Sequence, residues 1–424
     1  MNDGWIDVTV PVRNGMVTWP GDPSFHIERA EDQEKGDRAT VSRMTLGVHT
    51  GTHMDAPLHY IRNGRSIDTL PLDAYAGEVA GLDAPLTGAW AGFDCRNNRL
   101  AALALAQDGF ADIVAAAKTR YGAARIGVFV GTSTSGILQT ETAYRQRDAA
   151  GGLPSWFDYA RTHNTYALGY FVRDYLGLKG PAFAVSTACA ATSKVFASAA
   201  RMMAAGFCDA AIVGGADTLC ATTLFGFHAL GVMAGGPCRP FDAARSGISI
   251  GEAAGFALLE RQGAQHGAGT ILLCGTGESS DAYHMSSPHP HGEGAQRAMA
   301  LALADAGLAP GEIDYINLHG TATLAGDAAE DCAIISLFGN AVPCSSSKGF
   351  TGHTLGASGV VGAAISALAL QHGFLPGSPH TSRVDPDFCS QYLLEGRDAP
   401  VGHVLCNAFG FGGVNCSLVL GRAA

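Results

Sequence analysis

One pattern constrains this chain more than any other. A short apolar strand running into a small-residue turn and then a helix occurs twice, first at Val185-Ser-Thr-Ala-Cys189 and again at Cys344-Ser-Ser-Ser-Lys348. Around the first copy the periodicity predicts a helix over 97–118, strands over 126–130 and 182–185, a helix over 190–205, and strands over 210–213 and 254–260. Around the second it predicts a strand over 270–276, a helix over 294–306, a strand over 313–318, a helix over 326–337, an extended segment over 341–347, a helix over 356–372 and a closing hairpin over 403–420. Alternating strands and helices with short connections require a layered α/β architecture, here assembled from two duplicated halves. Glycine supports the same reading. It supplies 56 of 424 residues, against an ordinary share of about 7%, as tight turns and close backbone approaches demand.

A chain of this length buries a large core without staples, and 47% hydrophobic with 15% charged residues excludes a disordered chain. The formal net charge of −11 disfavours generic nucleic-acid binding while leaving room for a local basic patch. Eleven cysteines, odd in number and without a CxxC pair, argue against a disulfide framework or zinc ribbon and for a reducing compartment. The opening MNDGWIDVTVPV has no basic region followed by an apolar one, and no apolar run approaches the ~18 residues of a span. The expectation is a soluble, cytoplasmic protein without membrane or nucleic-acid partners.

Cys189 stands where a strand turns into a helix. The positive helix end and free backbone N–H groups there favour the thiolate, the reactive form. His319 closes the strand over 313–318, and His353 lies in Lys348-Gly-Phe-Thr-Gly-His-Thr-Leu-Gly356. Strand ends beside glycines are where open α/β sheets receive ligands. Each residue alone reads more simply as a buried structural side chain; together, at equivalent ends of two repeats, they form a candidate Cys-His-His site.

Six ordered segments carry a resemblance over about residues 93–424. They are Ser186-Thr-Ala-Cys-Ala190, Pro237-Cys-Arg-Pro-Phe-Asp-Ala-Ala-Arg245, Ser280-Asp-Ala-Tyr-His-Met-Ser-Ser-Pro288, His319-Gly-Thr-Ala-Thr-Leu-Ala-Gly-Asp-Ala-Ala-Glu330, Ser347-Lys-Gly-Phe-Thr-Gly-His353 and Asn407-Ala-Phe-Gly-Phe-Gly-Gly-Val-Asn415. This stretch resembles the elongating β-ketoacyl-acyl carrier protein synthases, members of the thiolase-like condensing enzymes. The resemblance implies a thiolase-like layered αβαβα fold, with halves over 93–260 (the usual opening strand missing) and 261–424. It implies that Cys189 takes an acyl group from an acyl carrier protein and that His319 and His353 promote malonyl decarboxylation as neutral donors. It further implies that Lys348 and Glu330 order the site, and that Thr321 and Thr323 bind phosphopantetheine. Phe409 matches the gating aromatic, its N–H sharing an oxyanion hole with that of Cys189. Thr134 and Phe227 match acyl-pocket positions. No cofactor is needed for the condensation itself, because phosphopantetheine arrives on the carrier protein; a homodimer is expected.

Residues 1–84 have another texture. The stretch over 6–12 alternates like a strand, and His49, His53 and Asp55 lie within seven residues, with His59 close by. Imidazole and carboxylate donors at this density suit zinc or manganese. With Trp19-Pro-Gly-Asp22 upstream, the segment resembles the amino-terminal part of the metal-dependent cyclases that include kynurenine formamidase, truncated before the rest of that family's site. The resemblance implies metal ligation by the first three residues, at most weak zinc binding in so short a segment, and catalysis by a histidine like His59. The leading reading is therefore a condensing acyltransferase of fatty-acid or polyketide-like synthesis. The competing readings are a metal-dependent amide hydrolase acting through residues 1–84 and an inactive chimeric or truncated synthase.

Overall fold

The structure, a computed structural model, describes residues 26–31, 41–45, 76–77, 79, 81–263 and 267–423. The chain divides into compact units Met1–Gly51 and Thr52–Ala424. In the first, strands β1 (His26–Glu31) and β2 (Val41–Thr45) pair antiparallel. The motif of His49, His53, Asp55 and His59, and the alternating stretch over 6–12, lie outside the described residues.

The second unit runs from β3 (Ala76–Gly77) through α1 (Arg96–Leu105), α2 (Phe110–Tyr121), β4 (Ile126–Gly131), α3 (Ile137–Arg145), α4 (Tyr166–Tyr175) and β5 (Ala182–Val185). It continues with α5 (Ala191–Ala204), β6 (Ala210–Asp217), α6 (Ala221–Ala229), β7 (Ile250–Gly251) and β8 (Ala253–Glu260). The second cycle comprises β9 (Ile271–Ser280), α7 (Glu293–Ala306), β10 (Tyr315–Asn317), α8 (Leu324–Phe338), β11 (Pro343–Ser345), the single turn α9 (Lys348–Thr351) and α10 (Ser358–His372). The short strands β12 (Phe374–Leu375), β13 (Gln391–Tyr392) and β14 (Arg397–Asp398) precede the hairpin of β15 (His403–Gly410) and β16 (Val414–Arg422).

The duplication is visible in the hydrogen bonding. One sheet has the order β5-β4-β6-β8, parallel except for β8. The other contains β11-β10-β15-β16 in the same order and directions, with β13 added at one edge and β9 antiparallel to β16 at the other. Among the described residues no strand lies beyond β8, where the repeat would place the counterpart of β9.

Alternation along the strands builds the layers, because successive side chains point to opposite faces. In β4, Phe129 faces a central core with Val195, Phe196 and Ala199 of α5, Val360 and Ala363 of α10, and Val404 and Leu418 of the other sheet. Its neighbours Val128 and Val130 face outward against Leu105 of α1, Val114 of α2 and Phe171 of α4. On the far side of the second sheet, Leu405 and Val419 pack on Met299 of α7 and Ile334 of α8. Helix, sheet, central helix pair, sheet and helix make five layers. The stretch Leu355–His372 is long and apolar enough by length and composition to cross a membrane, unlike the sequence expectation, and is 61% buried. A helix apolar on all sides fits its place between two sheets.

The helix expected over 97–118 is two helices meeting at 74°. Asp108 and Gly109 adopt left-handed conformations, with φ of 55° and 66°, which no continuous α-helix accommodates. Helices α3, α4 and α6 were not anticipated, their apolar positions being hidden in loop-like composition. Leu168, Phe171 and Val172 nonetheless give α4 a fully buried face.

Candidate active site

The first turn of interest follows β5. Ala188 takes φ +49°, a conformation costly for a residue with a Cβ, and thereby turns Cys189 into the interior, where it is 4% exposed. His319 follows β10 and is 8% exposed; His353 follows α9 and is 2% exposed. The two imidazole rings meet edge to face with centroids 5.4 Å apart. Nε2 of His353 lies 2.9 Å from Sγ of Cys189, and nitrogen or sulfur atoms of the three side chains all fall within 4.8 Å of one another. The strand-turn ends of both repeats thus converge on one point.

Main-chain bonds fix the histidines. The His353 N–H donates to the Ser249 carbonyl at 2.6 Å, and its own carbonyl accepts from Gly251 N–H at 3.1 Å, so β7 holds the residue from both sides. Glu330, fully buried, accepts the N–H groups of His319 and Gly320 at 2.8 and 2.7 Å. Lys348 Nζ donates to the His319 carbonyl at 2.5 Å. Lys348 and Glu330 thus each grip the His319 main chain, one at its carbonyl and the other at its N–H. Asn407 Nδ2 donates to Glu330 at 3.2 Å, and Asp327 accepts Thr321 N–H and Ala322 N–H at 3.0 Å.

Burial dominates the electrostatics. Together with the Asp217 charge it pushes the Cys189 thiol up to about 11, against the opposing influences of the Phe411 N–H, the Lys348 ammonium and the Cys189 N–H. The helix end does not make a resting thiolate, contrary to the sequence expectation, because desolvation of the sulfur outweighs it. Burial and the nearby Lys348 charge hold both imidazoles well below the usual histidine range, so a neutral thiol faces two neutral imidazoles. Sulfur and two imidazole nitrogens are chemically able to hold zinc, but the buried ammonium opposes a divalent cation there.

Phe409 sits on β15 opposite Asn415, with its ring 5.9 Å from that of His319. The N–H that reaches the Cys189 sulfur belongs instead to Phe411, in the turn after β15, whose ring lies 5.5 Å from that of Phe227. The backbone N–H beside the Cys189 sulfur, expected of Phe409, is thus that of Phe411. The signal lay in the sequence: glycines flank Phe411 on both sides, at 410, 412 and 413, so backbone freedom centres on it. Gly410 shows why that freedom is needed, since a Cβ there would lie 2.9 Å from the Thr187 carbonyl and 3.3 Å from Cys189 N. Gly410→Ala is expected to slow alkylation of Cys189 by iodoacetamide about tenfold or more by displacing one turn against the other. Overpacking should lower stability by about 1–3 kcal/mol. Unchanged alkylation would show that the two turns are not coupled.

The remaining expected residues have mixed placements. Phe227, on α6, packs on a small apolar cluster of Ile248, Ile250 and Leu355 beside His353. Thr321 and Thr323 hydroxyls are 3.1 Å apart, and Thr323 also caps α8 by accepting the Gly326 N–H. Thr134 is committed elsewhere, its hydroxyl donating to Asp217 at 2.8 Å. Asp217 itself carried no motif and was missed.

Comparison with known proteins bears on this geometry. The family described as "Beta-ketoacyl synthase, N-terminal domain" matches residues 98–264, and "Beta-ketoacyl synthase, C-terminal domain" matches 270–382. A third family, "Putative cyclase", matches 6–147. The chain is 35% identical over 310 residues to 3-oxoacyl-[acyl-carrier-protein] synthase 2 of Staphylococcus aureus, covering 70% of this chain and 76% of that protein. It is 35% identical over 305 residues to nodulation protein E of Rhizobium meliloti, covering 70% and 75%. Among solved structures, the ketosynthase ApeO of Xenorhabdus doucetiae, in complex with its chain length factor ApeC, superposes with a TM-score of 0.76 at 37% identity, covering 88% of this chain and 90% of that one.

Proposed function

The chain belongs to the β-ketoacyl synthases, and from that premise we propose that Cys189, His319 and His353 carry out its decarboxylating Claisen condensation. The observation that carries the assignment is the 2.9 Å approach of His353 Nε2 to the Cys189 sulfur, beside a second buried neutral imidazole. In the first half-reaction Sγ attacks the acyl thioester carbonyl. Its proton passes through His353 Nε2 to the departing phosphopantetheine sulfur, and the Cys189 and Phe411 N–H groups hold the oxyanion. In the second, the malonyl carboxyl-to-Cα bond breaks and CO2 leaves. The electron pair remains as an enolate whose oxygen accepts hydrogen bonds from the two imidazoles, His353 having taken the tautomer protonated at Nε2 for this step, and neutral donors stabilise that charge without retaining the product. The enolate carbon bonds to the acyl carbonyl, the C–S bond breaks, and the sulfur takes up the one proton that the overall reaction consumes.

Lys348 and Glu330 set the position of His319 through its main chain, and Thr321 and Thr323 offer hydroxyls to the pantetheine arm. The partner is an acyl carrier protein, as the name of the Staphylococcus aureus relative has it, and the phosphopantetheine arrives on it. A second subunit is expected, with another copy of this chain as the assignment, since β5 ends its sheet as an edge strand with Phe183 exposed. The eleven free thiols suit a reducing cytoplasm. The test is incubation with acyl-loaded carrier protein followed by peptide mass analysis. One acyl group on the Cys189 peptide is expected; acylation elsewhere, or none in a folded sample, overturns the assignment.

The cyclase match favours a second reading, a metal-dependent amide hydrolase. Its last third does not serve one, because residues 98–147 are built into α1, α2, β4 and α3 of the synthase layers. His49, His53 and Asp55 alone supply three ligands, and catalysis also needs an ion held in fixed geometry by supporting partners. Zinc is expected below one equivalent and formyl-amide hydrolysis at the rate of buffer. Stoichiometric zinc together with hydrolysis lost on His59→Ala would make the protein bifunctional.

A further inference from the structure

We propose that Asp217, at the end of β6, is the positioning residue that sets the nucleophile turn and the His353 turn against each other. The inference rests on the assignment of Cys189 and His353 above. Asp217 is wholly buried and touches neither residue, yet its carboxylate gathers donors from two separate loops. Oδ1 accepts Thr132 Oγ1 at 2.7 Å, Ser133 N–H at 2.7 Å, Thr134 N–H at 2.8 Å and Thr134 Oγ1 at 2.8 Å. Oδ2 accepts Ser133 N–H at 3.0 Å and Gly356 N–H at 2.6 Å.

Each of these bonds leads toward the chemistry. Gly356 is three residues after His353, and its carbonyl accepts Thr192 Oγ1 at 2.5 Å, which ties the same loop to the first turn of α5. Ser133 passes the connection to the nucleophile, because its hydroxyl donates to the Ala188 carbonyl at 3.2 Å. Ser358, the first residue of α10, donates to the Cys189 carbonyl at 3.1 Å. Asp217 thus reaches the residue before Cys189 through one side chain and the loop after His353 directly.

The backbone around it explains why so many bonds are gathered. Ser135, Ala188 and Leu355 have φ of 44°, 49° and 53°, one in each of the turns concerned. Left-handed conformations at residues with a Cβ persist only where surrounding bonds over-determine them. The site is also closed to adjustment: a Cβ on Gly356 would lie 2.7 Å from Asp217 Oδ2 and 2.6 Å from Ser133 Oγ. A carboxylate suits the position because both oxygens face only donors; an amide would turn its own NH2 toward N–H or O–H groups on one side.

Asp217→Asn, of equal size, is the test, with Asp242→Asn as its comparison. Asp242 is another buried carboxylate accepting several donors, from Ala244, Ser382 and Arg383 N–H and from Ser382 Oγ, in a different part of the fold. Both variants are assayed at equal distance below their own melting temperatures. For Asp217→Asn, Cys189 alkylation by iodoacetamide near neutral pH is expected to slow at least tenfold as the His353 pairing loosens, although loss of the Asp217 charge, which raises the thiol, would by itself lower it and speed alkylation. Condensation should lose kcat with KM for malonyl-carrier protein held within about twofold. Asp242→Asn should lower stability and leave the alkylation rate and its pH profile unchanged. Parallel losses in the two variants, or a wild-type alkylation rate in Asp217→Asn, would overturn the proposal. Should Asp217→Asn not fold, Ser133→Ala keeps the carboxylate and cuts only the link to Ala188. It should slow Cys189 alkylation several-fold while malonyl decarboxylation proceeds at the wild-type rate, and no change in alkylation would equally overturn it. Acylation of wild-type Cys189 by acyl-carrier protein, run alongside, tests the underlying assignment separately.

Discussion

Cys189→Ser is expected to abolish condensation, with a loss on the order of 10³-fold or more, as removal of a covalent nucleophile produces. Serine matches the shape of the turn, so the protein should fold normally. What it lacks is a proton that a neutral imidazole can take: burial already raises the thiol to about 11, and a hydroxyl starts several units higher. The acyl-enzyme should disappear from the mass spectrum. Malonyl decarboxylation should persist, uncoupled from carbon–carbon bond formation, because His319 and His353 remain in place. Exposed Cys332 and Cys389 provide the control, as both should react with iodoacetamide and neither with acyl-carrier protein. Residual condensation within tenfold of wild type would remove Cys189 from the mechanism.

Replacing the histidines should separate the half-reactions. His319→Ala is expected to slow malonyl decarboxylation on the order of 10²-fold or more, the usual cost of one oxyanion donor, and to leave acylation of Cys189 nearly unchanged. His353→Ala should impair both, because its Nε2 also faces the sulfur at 2.9 Å. Equal effects of the two variants on acylation would contradict this division. The same histidines give stability a pH dependence with a definite sign. Burial lowers both in the folded state, whereas unfolded histidine titrates near 6.5. The unfolded chain therefore binds protons that the native site refuses, and stability present above about pH 6.5 is lost as pH falls below it. Denaturant melts across pH 5–8 should show that acid-side loss, reduced in either alanine variant.

Much of the synthase was legible in advance. Strand–turn–helix repeats carried the layered fold, since a fully buried strand such as Ile126–Gly131 leaves an unbroken apolar signature. Cys189 and His319 stand just past strand ends as expected, His353 follows the short helix α9 rather than a strand, and the structure brings all three together. The misreadings share one physical origin, namely that local patterns do not report what lies across the fold. The bond from the Thr134 hydroxyl to Asp217, 83 positions away, had no signal in the sequence. The N–H expected of Phe409 at the sulfur belongs to Phe411, two positions on in the turn after β15. The two helices at 96–121 read as one because Asp108 and Gly109 occupy a single turn of otherwise continuous Ala/Leu periodicity.

By itself the sequence determined the alternation of strands and helices and their duplication, because these depend on periodicity, which is local; the layer order and the roles expected of Cys189, His319 and His353 came with the family resemblance. Only the tertiary structure decided the protonation and alignment of the site. The Cys189 thiol stays neutral because several layers of protein exclude water from it, an effect that no neighbour in sequence produces. The His353 main chain is held by Ser249 and Gly251, and the loop after it is bonded to Asp217, 28 positions from Cys189 and 139 from Gly356 along the chain. A carboxylate acquires that role only when folding surrounds it with donors from elements that the chain keeps far apart.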